Sequence, residues 1–300
     1  MTLVPTHQPS ATACPVCGAT GSPVAWAPQL TECHGCGHTT SGTDVDLPTD
    51  SNALFESADY GRWRLVDDEV VRTAAQRIDV LTPYAAGGQA LELGCSTGEA
   101  TADLANRGWQ AFGLEPSEFA FDVACERYPQ AAFAHGLFPT LPADWPADFD
   151  LIVAFHVIEH IQDLESLARD LRARLRPGGL LYVRVPNWAS WSRLITRQHW
   201  PNLFPEHLHH FTPASLERFV ESAGAAPIAG GTSGHAHEWV GGLRRSARRL
   251  RPREQRSSPP PLIAGAMRIN AMLDRVGRPW FWLEEHRHAG SELWIIGRRR

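Results

Sequence analysis

Residues 91–98 read Leu91-Glu92-Leu93-Gly94-Cys95-Ser96-Thr97-Gly98. The apolar run over residues 90–93 predicts the end of a buried strand that stops at Gly94. From Glu99 onward, Ala100, Leu104 and Ala105 predict a helix. A strand, a glycine turn and a helix start form a concave site where backbone N–H groups meet a ligand. Gly94 and Gly98 suit such a turn, because glycine takes positive φ and lets a ligand lie against the main chain.

Outward from this turn, strands and helices alternate. Residues 109–115 predict a second strand ending in Glu115 and Pro116. In dinucleotide-type folds an acid about 20 residues beyond the glycine turn accepts hydrogen bonds from a ribose diol. A helix over 118–128 and a short strand over 131–134 follow, and the continuation Ala134-His135-Gly136 carries no acid. Residues 149–155 are hydrophobic enough for a central strand covered on both faces, and run on into His156-Val-Ile-Glu159-His160. Leu164, Leu167, Ala168, Leu171 and Leu175 predict an amphipathic helix capped by Asp163 and ended by Pro177-Gly178-Gly179. Strands are expected over 180–185 and 225–232, with an antiparallel last strand over 291–297. Before the turn, Val70, Val71, Ala74, Ala75, Ile78 and Leu81 fall on one face of a helix. The alternation predicts an α/β fold, a doubly wound and mostly parallel seven-stranded sheet.

The run from Glu92 to Gly98 resembles the first motif of class I S-adenosylmethionine (SAM)-dependent methyltransferases, (E/D)-x-G-x-G-x-G, with Ser96 at the family's middle glycine. The resemblance implies that Gly94, Cys95, Ser96, Gly98, Glu115 and Pro116 hold SAM and that Glu92 orients the loop. An aromatic segment before the first helix folds over the cofactor in related enzymes. Here Tyr60 either covers the sulfonium or packs that helix onto the core. The family's third-strand aspartate, which meets the adenine amine, is absent, so that contact falls to backbone. The segment from His156 to His160 resembles the H-x-x-E-H of small-molecule methyltransferases, including ubiquinone-biosynthesis O-methyltransferases. It implies a cofactor or substrate contact for His156, the alternative being a loop cap. Residues 200–213, Trp-Pro-Asn-Leu-Phe-Pro-Glu-His-Leu-His-His-Phe-Thr-Pro, resemble the W…EHLxxF(S/T) element of sugar, quinone and natural-product tailoring enzymes. That places His207 near the acceptor as the candidate base, with His160 and His210 in reserve, since imidazole titrates near neutrality. Metal binding and plain packing are the rival uses of these histidines.

Near the N-terminus stand Cys14-Pro-Val-Cys17-Gly18 and Cys33-His-Gly-Cys36-Gly37. Two such knuckles place four thiolates around one tetrahedral Zn²⁺, in a closed structural site. The resulting division is a zinc-binding module (1–45), a linker and helical cap (46–88) and a SAM-binding core (89–239). An Arg-rich insertion with a linker and an apolar helix over 263–276 occupies 240–290, and the last strand takes 291–300.

The net charge is −5, with no lysine in the chain and no Arg or Lys before residue 62, which argues against a nucleic-acid partner. No apolar run of about 18 residues predicts a membrane span. No signal segment is visible, so a cytoplasmic setting is expected, where paired cysteines indicate metal. The reading is a SAM-dependent O- or C-methyltransferase of secondary metabolism acting on a small-molecule acceptor, free or linked to a carrier or nucleotide. Two rivals stay open: a zinc-ribbon rRNA base methyltransferase, and a non-catalytic SAM-fold binding protein.

Overall fold

The computed structural model describes residues 13–41, 67–248, 272–273 and 275–300. Tyr60 and most of the apolar helix expected over 263–276 lie outside the described residues.

Seven strands build the main sheet. β4 (Gly88–Leu93), β5 (Trp109–Glu115), β6 (Ala132–His135), β7 (Phe149–Phe155) and β8 (Leu175–Pro186) run parallel. β11 (Glu292–Arg299) is antiparallel to both β8 and β10 (Ala225–Ser233). The strand order is β10-β11-β8-β7-β4-β5-β6. The chain therefore winds to opposite sides from β4 and β7, and in open α/β sheets a ligand binds at the carboxyl ends of the strands flanking such a switch. The expected doubly wound sheet is present. One boundary differs, because β8 already starts at Leu175 and runs through Gly178 (φ +81) instead of starting after it.

Apolar layers cover both faces. On one, Ala74 and Ile78 of α1 (Asp67–Asp79) and Ala100 and Leu104 of α2 (Glu99–Asn106) pack on Leu151 and Val153. On the other, Leu164, Leu167 and Leu171 of α4 (Leu164–Arg174) meet Leu216 and Phe219 of α6 (Pro213–Ser222) over Ile152 and Leu181. α3 (Glu118–Arg127) connects β5 to β6. Each fully buried Leu or Ile contributes about 1.5–3 kcal/mol of apolar transfer, so these layers fix the sheet. Helix starts follow local chemistry. Asp163 accepts from the Ser166 N–H, and Thr212 with Ser215 forms a reciprocal capping box before Pro213.

A second sheet joins the N-terminal segment to the core. β1 (Gly21–Val24), β2 (Ala27–Cys33), β3 (Thr39–Ser41) and β9 (His209–His210) are adjacent in that order. Val24, Ala27 and Leu30 pack with Trp188 and Trp200. Trp188 Nε1 donates to Glu32 Oε2 at 3.1 Å, and Arg193 stacks on the Trp188 ring. α5 (Trp191–Thr196) and α7 (Ala236–Arg248) pack beside each other, and α8 (Arg278–His286) lies against β10. No described helix is long and apolar enough to cross a membrane.

Candidate active site and cysteine cluster

The turn after β4 has the strained geometry its glycines imply. Gly94, Ser96 and Gly98 all have positive φ, at 63°, 49° and 90°. A Cβ on Gly94 would meet Val157 Cγ2 at 2.6 Å, and one on Gly98 would meet Ala124 Cβ and Phe133 Cζ at 2.9 Å. Ser96 occupies the left-handed region at a cost on the order of 1 kcal/mol. The Glu115 carboxylate offsets this by accepting from the Ser96 N–H at 2.8 Å and the Ser117 N–H at 2.9 Å. Burial pushes Glu115's pKa up, opposed by those backbone N–H groups. Glu92 is buried beneath the turn, where burial lifts its carboxyl to about 8 against the opposing hydrogen bond from the Thr101 hydroxyl.

A cavity of about 1310 Å³ opens from this turn. Glu92, Gly94, Cys95, Ser96, Thr97 and Glu99 line it from the glycine turn and the start of α2. Its wall also includes Phe155, His156, Asn202, His235, Glu238 and Glu292, with Phe281 and Trp282 from α8. Gly98, Glu115 and Pro116 are not on the wall. Glu115 acts through the backbone of Ser96, and the Pro116 carbonyl is 2.8 Å from a ring nitrogen of His135.

Glu292 is the hub of a charged cluster on this wall. It pairs with Arg184 Nε at 2.7 Å, with Arg77 at 3.1 Å and with His156 Nε2 at 3.0 Å, and His235 Nε2 lies at 3.6 Å. Against the penalty of burial, the Arg184 and Arg77 guanidinium groups and the hydrogen bonds from the His156 and His235 rings hold its carboxyl well below the usual range. Topology puts it there: an antiparallel strand starts at the edge where its parallel neighbours end. β10 delivers Ser233 and His235 to the same edge. His156 sits one residue past β7 with φ 57°, and Nδ1 is 3.4 Å from Glu159 Oε1. Burial alone would lower its pKa, but the Glu159 and Glu292 carboxylates beside it raise it to about 9, so the ring is an imidazolium at neutral pH. Glu159 is fully buried, yet the His156 imidazolium beside it holds its carboxyl down to about 2 against the penalty of burial.

The histidines singled out from sequence are placed differently from the expectation. His160, His207 and His210 are not on the cavity wall. His207 lies behind the cavity, edge-on to His160 and Phe204, and burial lowers its pKa to about 4. His209 and His210 are in β9. His210 stacks on Trp188, with burial lowering its pKa to about 3, and His209 Nδ1 meets His38 Nε2 at 3.1 Å. The pairing of β3 with β9 turns these two rings into packing roles. The imidazoles that face the cavity are His156 and His235. Sequence reading missed His235, Glu238 and Glu292. The only local signal for Glu292 was an acid opening an otherwise apolar last strand.

The four cysteines converge. Their sulfurs all lie within 4.8 Å of one another, with Cys14 and Cys36 at 3.8 Å and Cys17 and Cys33 at 3.4 Å. Tetrahedral zinc–thiolate bonds of about 2.3 Å place sulfurs roughly 3.8 Å apart, so the set fits that ion. Gly18 (φ +74) and Gly37 (φ +69) make the knuckle turns. The Gly35 N–H donates to Cys33 Sγ at 3.3 Å. Burial acts to raise the Cys33 thiol, but backbone N–H groups outweigh it and lower it to about 7.

Comparison with known proteins agrees with this geometry. A family model described as a methyltransferase domain matches residues 63–229. A ubiquinone biosynthesis O-methyltransferase from Methylobacterium sp. (strain 4-46) is 31% identical over 157 residues, covering 49% of this chain and 63% of that protein. A trans-aconitate 2-methyltransferase from Deinococcus radiodurans is 34% identical over 160 residues, covering 51% of this chain and 57% of that protein. The chain thus spans less than two thirds of the length of these relatives. The solved magnesium protoporphyrin IX methyltransferase from Synechocystis, with bound SAH, shares the fold at a TM-score of 0.53 and 12% identity, covering 83% of this chain and 98% of that one. With the methyltransferase-domain match over more than half its length and the switch-point sheet that carries the glycine turn, this chain belongs to the class I SAM-dependent methyltransferase family.

Proposed function

We propose that this chain methylates a small-molecule acceptor on oxygen or carbon, with SAM as methyl donor. The observation that carries the reading is the single cavity joining the glycine turn to the ionised wall around Glu292. Ligand pockets for drug-sized molecules occupy about 300–1,000 Å³, so the space suits a cofactor and an acceptor together.

The residues present fit SAM. Val157 packed against Gly94, and Ala124 and Phe133 against Gly98, hold the turn so that Gly94, Cys95 and Ser96 line the cavity, and Glu115 fixes the Ser96 peptide. When bound, SAM supplies a methyl activated on a sulfonium. The chain's own contribution is alignment, exclusion of water and management of the acceptor's proton. Gly94, Cys95 and Ser96 would hold the cofactor, and Glu92 presents a neutral carboxyl beneath them. His156 has both ring nitrogens committed to carboxylates, so it holds charge on the wall instead of taking a proton. His235 is the imidazole on the wall placed to accept the acceptor's proton, with the Glu292 carboxylate beside it. The four cysteines would hold a structural Zn²⁺, which supports the histidine segment through β3 and does no chemistry.

The names of the relatives favour small acceptors, and the absence of Arg and Lys before residue 62 disfavours RNA. Incubated with methyl-labelled SAM and either a metabolite extract or total RNA, the protein is expected to label the metabolite fraction. Label confined to RNA overturns the acceptor class, and no label in either fraction overturns the activity.

A further inference from the structure

A second cluster of ligand atoms lies apart from the cysteines. Glu159 and His160 come from the turn after β7, His207 comes from the segment before β9, and each offers one ligand atom within 4.8 Å of the others. Glu159 is completely buried, and neither carboxylate oxygen has a hydrogen-bond partner; its contact with the His156 ring at 3.4 Å is an ion pair only. His207 is 8% exposed, and its Nδ1 is also buried without a partner. Buried polar atoms without hydrogen-bond partners are rare, and here Glu159 and His207 both supply them beside a third ligand residue, which asks for an occupant. The ring of His160 is already oriented as a metal ligand requires, because Nδ1 lies 2.9 Å from the Glu206 carbonyl. A ring nitrogen bonded to a backbone carbonyl is the arrangement by which metal-binding imidazoles are usually held.

We infer that Glu159, His160 and His207 form a binding site for a divalent transition-metal cation, zinc or a neighbour in that series, separate from the four-cysteine cluster. Two imidazoles and one carboxylate are a donor set for Zn²⁺, Fe²⁺ and Co²⁺, whereas Mg²⁺ and Ca²⁺ take oxygen. Three atoms on a triangle of about 3.5 Å sit about 2.0 Å from its centre, the length of an ordinary zinc–nitrogen or zinc–oxygen bond. A set already within 4.8 Å closes to that triangle by side-chain rotation. The ion ties the end of β7 to the segment carrying His207, behind the cavity wall at His156. With three protein ligands it keeps a position for water. The site does not depend on which acceptor is methylated.

The test uses the full chain, stripped with chelator and titrated with Co²⁺. The expected result is two equivalents bound per chain. One shows a thiolate charge-transfer band, and the other shows only the weaker bands of nitrogen and oxygen ligation. Glu159→Gln and His207→Ala are each expected to weaken the second equivalent at least about 100-fold while the thiolate band stays. Cys14→Ser with Cys17→Ser removes the thiolate band, which assigns that equivalent to the cysteines. A wild type that binds only the thiolate equivalent overturns the proposal, and so does a second equivalent that survives both Glu159→Gln and His207→Ala. Should either variant fail to melt cooperatively, the two-component spectrum of the wild type decides alone.

Discussion

Replacing Cys14 and Cys17 together with serine is expected to abolish zinc at the four-cysteine cluster and to release residues 205–212 from the core. Binding energy at a structural zinc site is folding energy, so the knuckle has little to hold it without the ion. The knuckle in turn holds the histidine segment. Thr39 and Thr40 pair with His210 and His209, Ser41 donates to the His207 carbonyl at 3.0 Å, and Thr212 donates to the Cys36 carbonyl at 2.8 Å. Releasing the module also exposes Val24 and Leu30 and uncovers Trp188 and Trp200. At about 1.5–3 kcal/mol for each buried aliphatic side chain, the loss is on the order of 4 kcal/mol or more. That corresponds to a drop of about 10 °C in Tm for a chain of this size. Hydrogen exchange should show protection at His209 and His210 falling with the metal content. Unchanged protection there, with the metal gone, would mean that the core holds this segment without the knuckle.

Glu292→Ala is expected to cost about 3–5 kcal/mol of stability, because it leaves a buried group of cations without their shared carboxylate. Arg184, Arg77 and His156 would then face one another across the vacated space. Denaturant melts read the loss directly. The same change removes one of the two carboxylates that raise His156 to about 9, so its proton is lost at a lower pH. A histidine NMR titration of wild type and variant checks that direction. Glu292→Gln keeps the shape and should fall between the two. A Glu292→Ala protein as stable as wild type, with His156 titrating as before, contradicts the hub.

The parts that were legible in the sequence are those whose cause is local. Gly94 and Gly98 announce a turn because no other residue fits their φ and the neighbouring side chains. The Cys-x-x-Cys-Gly repeats announce a four-cysteine cluster because the cysteines and turn glycines are adjacent. Strand and helix alternation fixes the sheet because hydrophobic periodicity is written residue by residue. The charged wall of the cavity was not legible, since Glu292 is 136 residues from His156 in sequence and meets it only after the antiparallel strand is inserted. The histidine segment was read as chemistry from its residue types. Its burial depends on a three-residue strand from the knuckle pairing with the two residues of β9, and no periodicity marks so short a pair. Ser96 lies between these cases. It departs from the expected glycine yet keeps the left-handed backbone because Glu115, on the next strand, holds its N–H.

The central claim is that the glycine turn, braced by Glu115, binds SAM. Calorimetric titration of the full chain with SAM, set beside Glu115→Ala, tests it most directly. The account predicts binding at one site per chain in the wild type, weakened at least about 10-fold in the variant, since losing a charge-assisted hydrogen bond costs about 1.5–3 kcal/mol. A wild type that does not bind SAM, or a Glu115→Ala chain that binds it with unchanged affinity, would contradict it.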